Sequence, residues 1–121
     1  MSTKKSPPLN DEQERERLGA RLRDARKYLG LKQEEVAEYL GIQRTALGDI
    51  ESGQRRVEAI ELTRLAKLYK QSVSYFIGED VAADFPAGIA HLARQAAKLS
   101  DQDQAELSRF VEYLRARSSA K

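Results

Sequence analysis

Between Gln33 and Gly53 the chain runs QEEVAEYLGIQRTALGDIESG, and this stretch leaves the rest little freedom in how to fold. Apolar residues fall at Val36, Ala37 and Leu40, then at Ile42, then at Ala46, Leu47 and Ile50. That is two short patterns of 3.6-residue period separated by a glycine. The spacing predicts a helix, a tight turn and a second helix. Ala37 falls where the two must approach closest, so a larger side chain would push them apart. Gly41 follows Leu40, where the first helix ends and the chain needs a positive φ that glycine adopts without strain. Ile42 then plugs the corner from inside. Helices joined in this way cross at about 90–120°, which leaves one face of the second uncovered. On that face lie Gln43, Arg44, Thr45, Gly48, Asp49 and Ser52, none of them large and apolar. A helix that buries Leu47 and Ile50 behind and presents Arg44 and Thr45 in front has the form that enters a DNA major groove.

From about residue 18 to residue 78 the chain resembles the Cro and CI-like, or xenobiotic-response-element, family of bacterial and phage helix-turn-helix regulators. The resemblance is carried by LGLKQEEVAEYLGI, by IESGQRR at the close of the second helix, and by LAKLYKQSVSYFIG downstream. It implies an all-α protein whose five-helix DNA-binding domain spans residues 11–80. The implied function is sequence-specific transcriptional regulation, as a repressor, by a homodimer that places helix Gln43–Ser52 in the major groove of an inverted-repeat operator in double-stranded DNA. It further implies that Arg26 contacts a phosphate and pairs with Glu51. Gln33, beside Lys32, would hold a phosphate oxygen with its amide and the helix N-terminal N–H groups. The family usually has proline where Val57 stands, so the loop after the second helix is expected to be less rigid.

Base reading is assigned to Gln43, Arg44, Thr45, Gly48 and Asp49. Arg44 suits a guanine O6/N7 edge and Thr45 a thymine methyl, while Asp49 suits a cytosine amino group or the orienting of Arg44. Gly48 is an unusual residue inside such a helix. Ser52, Gln54, Arg55 and Arg56 are expected along the phosphate backbone, adding affinity that does not depend on sequence.

The net charge of +2 is small for a nucleic-acid binder, so any positive field must come from how charge is distributed. Arginines 15, 17, 21, 23 and 26 and Lys27 crowd one stretch, with acids interleaved. The chain has no cysteine and one histidine, His91, which excludes disulfides and ordinary zinc sites. His91 reads as a helix-surface residue. No nucleotide-binding glycine motif or catalytic triad pattern is present, and neither an enzyme nor a cofactor is expected. With 40% hydrophobic and 33% charged residues, no apolar run of membrane-spanning length and no signal-peptide pattern, the expectation is a soluble, cytoplasmic, nucleoid-associated protein without a membrane partner.

The remaining segments are read from pattern. Residues 1–10, with Pro7 and Pro8, are expected to form a disordered arm. A first helix is expected over 11–29, ending at Gly30. A fourth is expected over 58–69 with Ile60, Leu62, Leu65, Ala66 and Leu68 facing largely inward, and a fifth is capped by Ser72 and closed by Gly78. Residues 79–84 read as a linker, with Asp84 capping a sixth helix that carries Ile89, Leu92, Ala93, Ala96 and Leu99. Ser100 and Asp103 open a seventh with Leu107, Phe110, Val111 and Leu114. Together residues 85–117 are expected to form a C-terminal helical hairpin that cannot cover its own apolar stripes. Leu92, Ala96, Leu99, Leu107, Phe110, Val111 and Leu114 are therefore expected at a dimer interface. The alternatives are packing on the chain's own domain through Tyr75 and Phe76, or docking of another protein, as in an antitoxin-like or protease-coupled regulator or a helical adaptor.

Overall fold

The structure, a computed structural model, describes residues 9–119. The expected arm lies outside the described residues apart from Leu9 and Asn10. Asn10 belongs instead to the first helix, α1 (Asp11–Tyr28). Its side chain accepts the Gln13 N–H at 2.8 Å and its own N–H donates to Gln13 Oε1 at 3.2 Å, a reciprocal cap. Asp11, Glu12 and Glu14 in the first turn suit the positive end of the helix dipole.

The next two helices fall where the apolar spacing put them: α2 is Gln33–Leu40 and α3 is Arg44–Ser52, with Gln43 as the N-cap residue. Gly41 has φ 74°, and the Ile42 N–H donates to the Ala37 carbonyl at 3.0 Å. That bond closes the end of α2 while the left-handed glycine redirects the chain. Val36, Ala37, Leu47 and Ile50 are buried together with Leu22 and Ala25 of α1.

Helices α4 (Ala59–Tyr69) and α5 (Val73–Phe76) close the core with Leu65, Ala66, Tyr69, Tyr75 and Phe76. Ser72 accepts the Tyr75 N–H at 3.0 Å, as a cap should. Ile60 does not face inward; it is 65% exposed. It lies nine residues from buried Tyr69, about two and a half turns at 3.6 residues per turn, and so on the opposite side of α4. Leu62 and Leu68 are half-buried at the edges.

The expected linker is ordered. Residues Val81–Asp84 form a 3₁₀ turn capped by Asp80, whose Oδ1 accepts the Ala82 N–H at 2.9 Å. Arg21 of α1 reaches under this turn, donating from Nε to the Ala83 carbonyl at 3.0 Å and from Nη1 to the Phe76 carbonyl at 3.1 Å. Asp84 does not cap α6 (Ala87–Ala97), whose N-cap residue is Pro86. The carboxylate that accepts the Ala87 N–H, at 2.7 Å, belongs to Asp24 of α1. A neighbouring helix thus does what the preceding residue was expected to do.

Helix α6 rests on α1 by its small residues. Ala87 and Ala90 are buried, and a Cβ at Gly88 would stand 2.9 Å from the Tyr28 ring. His91 is half-buried, 6.1 Å from Tyr28 between ring centroids. Arg94 lies over the Tyr75 ring at 5.8 Å and bonds to Gln71, whose amide donates to the Ala87 carbonyl at 3.2 Å. The own-domain contact therefore exists at Tyr75, made by Arg94. Ile89, Leu92 and Leu99 stay exposed.

Helix α7 (Asp101–Ser119) follows a short break. Ser100 Oγ accepts the Asp103 N–H at 3.1 Å, and Gln104 Nε2 donates to the Ala96 and Leu99 carbonyls at 3.0 and 3.3 Å. None of the residues of α7 is buried; Phe110 and Val111 are exposed, and Leu107 and Leu114 half-buried. All regular structure among the described residues is helical.

Candidate nucleic-acid interface

The outer face of α3 is built by exclusion. Leu47 and Ile50 are 1% exposed, so Arg44, Thr45, Asp49 and Ser52 face solvent, with Gln43 exposed at the cap. Ser52 turns its hydroxyl back to the Asp49 carbonyl at 3.2 Å. Gly48 is half-buried, and a Cβ there would find only Gln33 Nε2, at 3.9 Å.

Behind this face a polar chain ties three helices together. Arg26 is 8% exposed and Glu51 7%. Their contact is two-pronged, Nε to Oε2 at 2.7 Å and Nη2 to Oε1 at 3.1 Å, and Arg26 Nη1 donates to the Leu31 carbonyl at 2.9 Å. The hydrogen bond to Glu51 raises the Arg26 pKa further, against the opposing effect of burial. Gln33 donates from Nε2 to Glu51 Oε1 at 3.0 Å and accepts from Arg44 Nη1 at 3.0 Å. Arg44, at the start of α3, is thus held by the first residue of α2, which is held in turn by a buried ion pair anchored in α1. Such fixing lowers the rotamer entropy that a base contact would otherwise have to remove.

These groups surround an open cleft of about 510 Å³ lined by Arg23, Arg26, Lys32, Gln33, Glu34, Arg44, Gly48, Glu51 and Ser52. Charge-bearing and amide donors at the junction of two helix N-terminal regions are the chemistry that holds a phosphate oxygen. The structure gathers Arg26, Lys32, Gln33, Arg44, Gly48 and Ser52 here. Gln54, Arg55 and Arg56 lie apart, in the loop beyond Gly53. Arg55 is not a free cation. It donates to both Glu61 oxygens, at 3.0 and 3.1 Å, and to the Arg56 carbonyl at 3.2 Å. The Arg55 hydrogen bonds hold the Glu61 carboxyl below the ordinary carboxylate range. This pairing braces from α4 the loop expected to be less rigid at Val57. Gln54 and Arg56 are exposed.

Two features escaped the sequence. A Cβ at Gly19 would sit 2.4 Å from the Ile50 carbonyl oxygen and 2.5 Å from that of Glu51. α1 can approach α3 closely enough for the Arg26 and Glu51 pair because residue 19 has no side chain. Tyr69 is the other. It is 2% exposed, its hydroxyl has no hydrogen-bond partner among the described residues, and burial, with the Glu51 charge, pushes its pKa up. The 3.6-residue period of the aliphatic residues gave no signal for either.

The helix-turn-helix family matches residues 22–76, the stretch that carries all of this geometry except Gly19. The restriction-modification controller protein C.AhdI from Aeromonas hydrophila is 31% identical over 53% of this chain and 97% of its own, with a TM-score of 0.50. The chain belongs to the helix-turn-helix family. Within it the Cro and CI-like, or xenobiotic-response-element, type is the one resembled, a family of DNA-binding transcriptional regulators. The clp gene regulator ClgR from Corynebacterium glutamicum is 29% identical across 89% of this chain and 96% of its own, TM-score 0.52. A transcriptional regulator from Vibrio cholerae is 27% identical across 59% of this chain and 40% of its own, TM-score 0.51. No curated protein matches the chain. Among the described residues no three or more His, Cys, Asp or Glu side chains gather to hold a metal, and no helix is long and apolar enough to cross a membrane.

Proposed function

We propose that this family member is a repressor that binds an inverted-repeat operator as a homodimer, with α3 in the major groove. The observation that carries the reading is the bond from Arg44 to Gln33: one exposed guanidinium, positioned for a base edge, is braced by an amide that lines the phosphate cleft. Arg44 reads a guanine, Thr45 and Asp49 read neighbouring bases, and Gln43 sits at the entry of α3. Gln33, Lys32 and Ser52 hold the backbone on one side, with Arg26 supporting them from behind through Glu51, and Gln54, Arg55 and Arg56 run along it on the other, Arg55 chiefly by bracing the loop.

The dimer is supported by the exposed apolar residues of the C-terminal helices. Leu92, Leu99, Phe110 and Val111 are exposed, and Ala96, Leu107 and Leu114 half-buried. A second copy of the same surface covers them in an isologous contact and matches the two-fold symmetry of paired half-sites.

Selection of duplexes from random sequence tests the reading. The expected product is an inverted repeat with a guanine in each half-site, and Arg44→Ala then costs about 1–3 kcal/mol on the selected duplex. Recovery of no enriched sequence, or an Arg44→Ala protein that binds the selected duplex as well as the parent does, would overturn it.

A further inference from the structure

Two of the guanidiniums at the cleft already have partners. Arg26 gives Nε and Nη2 to Glu51 and Nη1 to the Leu31 carbonyl, and Arg44 is bonded to Gln33. Two more cations stand on α1 beside them. Arg23 lines the 510 Å³ cleft with Lys32, Gln33 and Arg44. It also lines an adjoining hollow of about 380 Å³, together with Ala20, Asp24, Lys27 and Glu51. Arg23 and Lys27 are four residues apart and so lie one above the other on the same side of the helix. Both are exposed, and neither forms an ion pair within 4.0 Å among the described residues. Asp24, the nearest carboxylate in sequence, is turned to the Ala87 N–H, Glu51 is taken by Arg26, and Glu34 stands on the rim of the cleft.

We propose that Arg23 and Lys27 form a phosphate-binding row on α1, which takes the DNA phosphates next to the one held at Gln33. Arg26 then serves mainly as a positioning residue that fixes Glu51 and, through it, Gln33. The chemistry favours this division. A buried guanidinium paired with a carboxylate contributes little net charge, whereas exposed unpaired cations release condensed counterions when they meet a phosphate. The row extends the basic edge of the interface from α3 back along α1, and it explains how a chain of net charge +2 carries a local positive field. The proposal rests on the DNA-binding reading above.

Its test is the salt dependence of binding by the full chain, measured by fluorescence anisotropy on the selected duplex and on a random-sequence duplex of equal length. Arg23→Gln is expected to make the slope of log K against log[salt] shallower by about 0.9, and Arg23→Gln with Lys27→Gln by about 1.8. The fold-loss should be the same on both duplexes. Arg64→Gln, which removes an exposed arginine of α4 that lines neither hollow, should leave the slope as it is. A double variant with the parental slope overturns the row while Arg44→Ala still loses the selected duplex. So does an Arg64→Gln slope that falls as far as that of Arg23→Gln, since net charge alone would then be at work. If Arg44→Ala also loses nothing, the DNA-binding reading itself fails. Both side chains are exposed, so the variants should unfold at the parental temperature, which a thermal melt checks.

Discussion

A glycine inside a short helix lowers its stability by about 0.8–1 kcal/mol relative to alanine, and Gly48 has no steric reason within its own chain to be one. Its φ is not in the left-handed range, and the nearest atom to a new Cβ is 3.9 Å away, an ordinary contact. Gly48→Ala should therefore raise the unfolding free energy by about 0.8–1 kcal/mol, measured by urea denaturation. The same variant should bind the selected duplex more weakly, because the methyl group enters the cleft between Gln33, Arg44 and Ser52. A variant that is both more stable and fully active would show that the cleft has room to spare and that the glycine is idle. Glu51 and Arg26 present the opposite case, a pair each of whose members has its main partner in the other. The sequence placed them together only through the family resemblance, since 25 positions separate them.

At the scale of helices, the close approach of α1 to α3 depends on a missing side chain. Adding one at residue 19 drives a Cβ into two backbone carbonyl oxygens, at 2.4 and 2.5 Å, and backbone cannot rotate aside as the end of a flexible side chain can. Gly19→Ala should cost roughly 1–3 kcal/mol by overpacking, despite the helix propensity gained. Because those carbonyls belong to Ile50 and Glu51, DNA affinity should fall further than stability predicts. Equal stability of variant and parent, by thermal or urea melts, would refute the close approach. The limits of α2 and α3 do not depend on such distant pieces. Their ends are closed locally, by Gly41 with φ 74° and Gly53 with φ 84°, and that is why their limits could be read from the chain.

For the molecule as a whole, α6 packs against α1 by its buried alanines, whereas no residue of α7 is buried. Ala87, Ala90, Arg94 and Gly88 fasten α6 to α1, α5 and Tyr28, whereas the larger apolar residues of both helices remain outside. Phe110 and Tyr113 stack on one another at 6.3 Å, 56% and 58% exposed, an arrangement that leaves much aromatic surface in water unless something covers it. Phe110→Asp with Leu114→Asp should convert the proposed dimer to monomers in sedimentation equilibrium and weaken operator binding, with the melting of the domain unchanged because no residue of α7 is buried. Dimers that persist would move the interface elsewhere, and monomeric parent protein that captures a second protein through this face would favour a docking surface.

The sequence by itself determined the helix-turn-helix unit, the face of α3 that meets solvent, and the capping of α5 and α7. All of these depend on residues within a turn or two of each other, where periodicity, glycine and short polar side chains act directly on the backbone. Only the tertiary structure decided that Arg55 braces a loop through Glu61, that Asp24 caps a helix 63 residues away, that Ile60 faces out, and that α6 binds the domain by alanines instead of by its isoleucine and leucines. Periodicity tells which residues share a side of a helix, but the partner surface selects which side is buried. A side chain that closes a distant backbone group leaves no local mark in the order of residues.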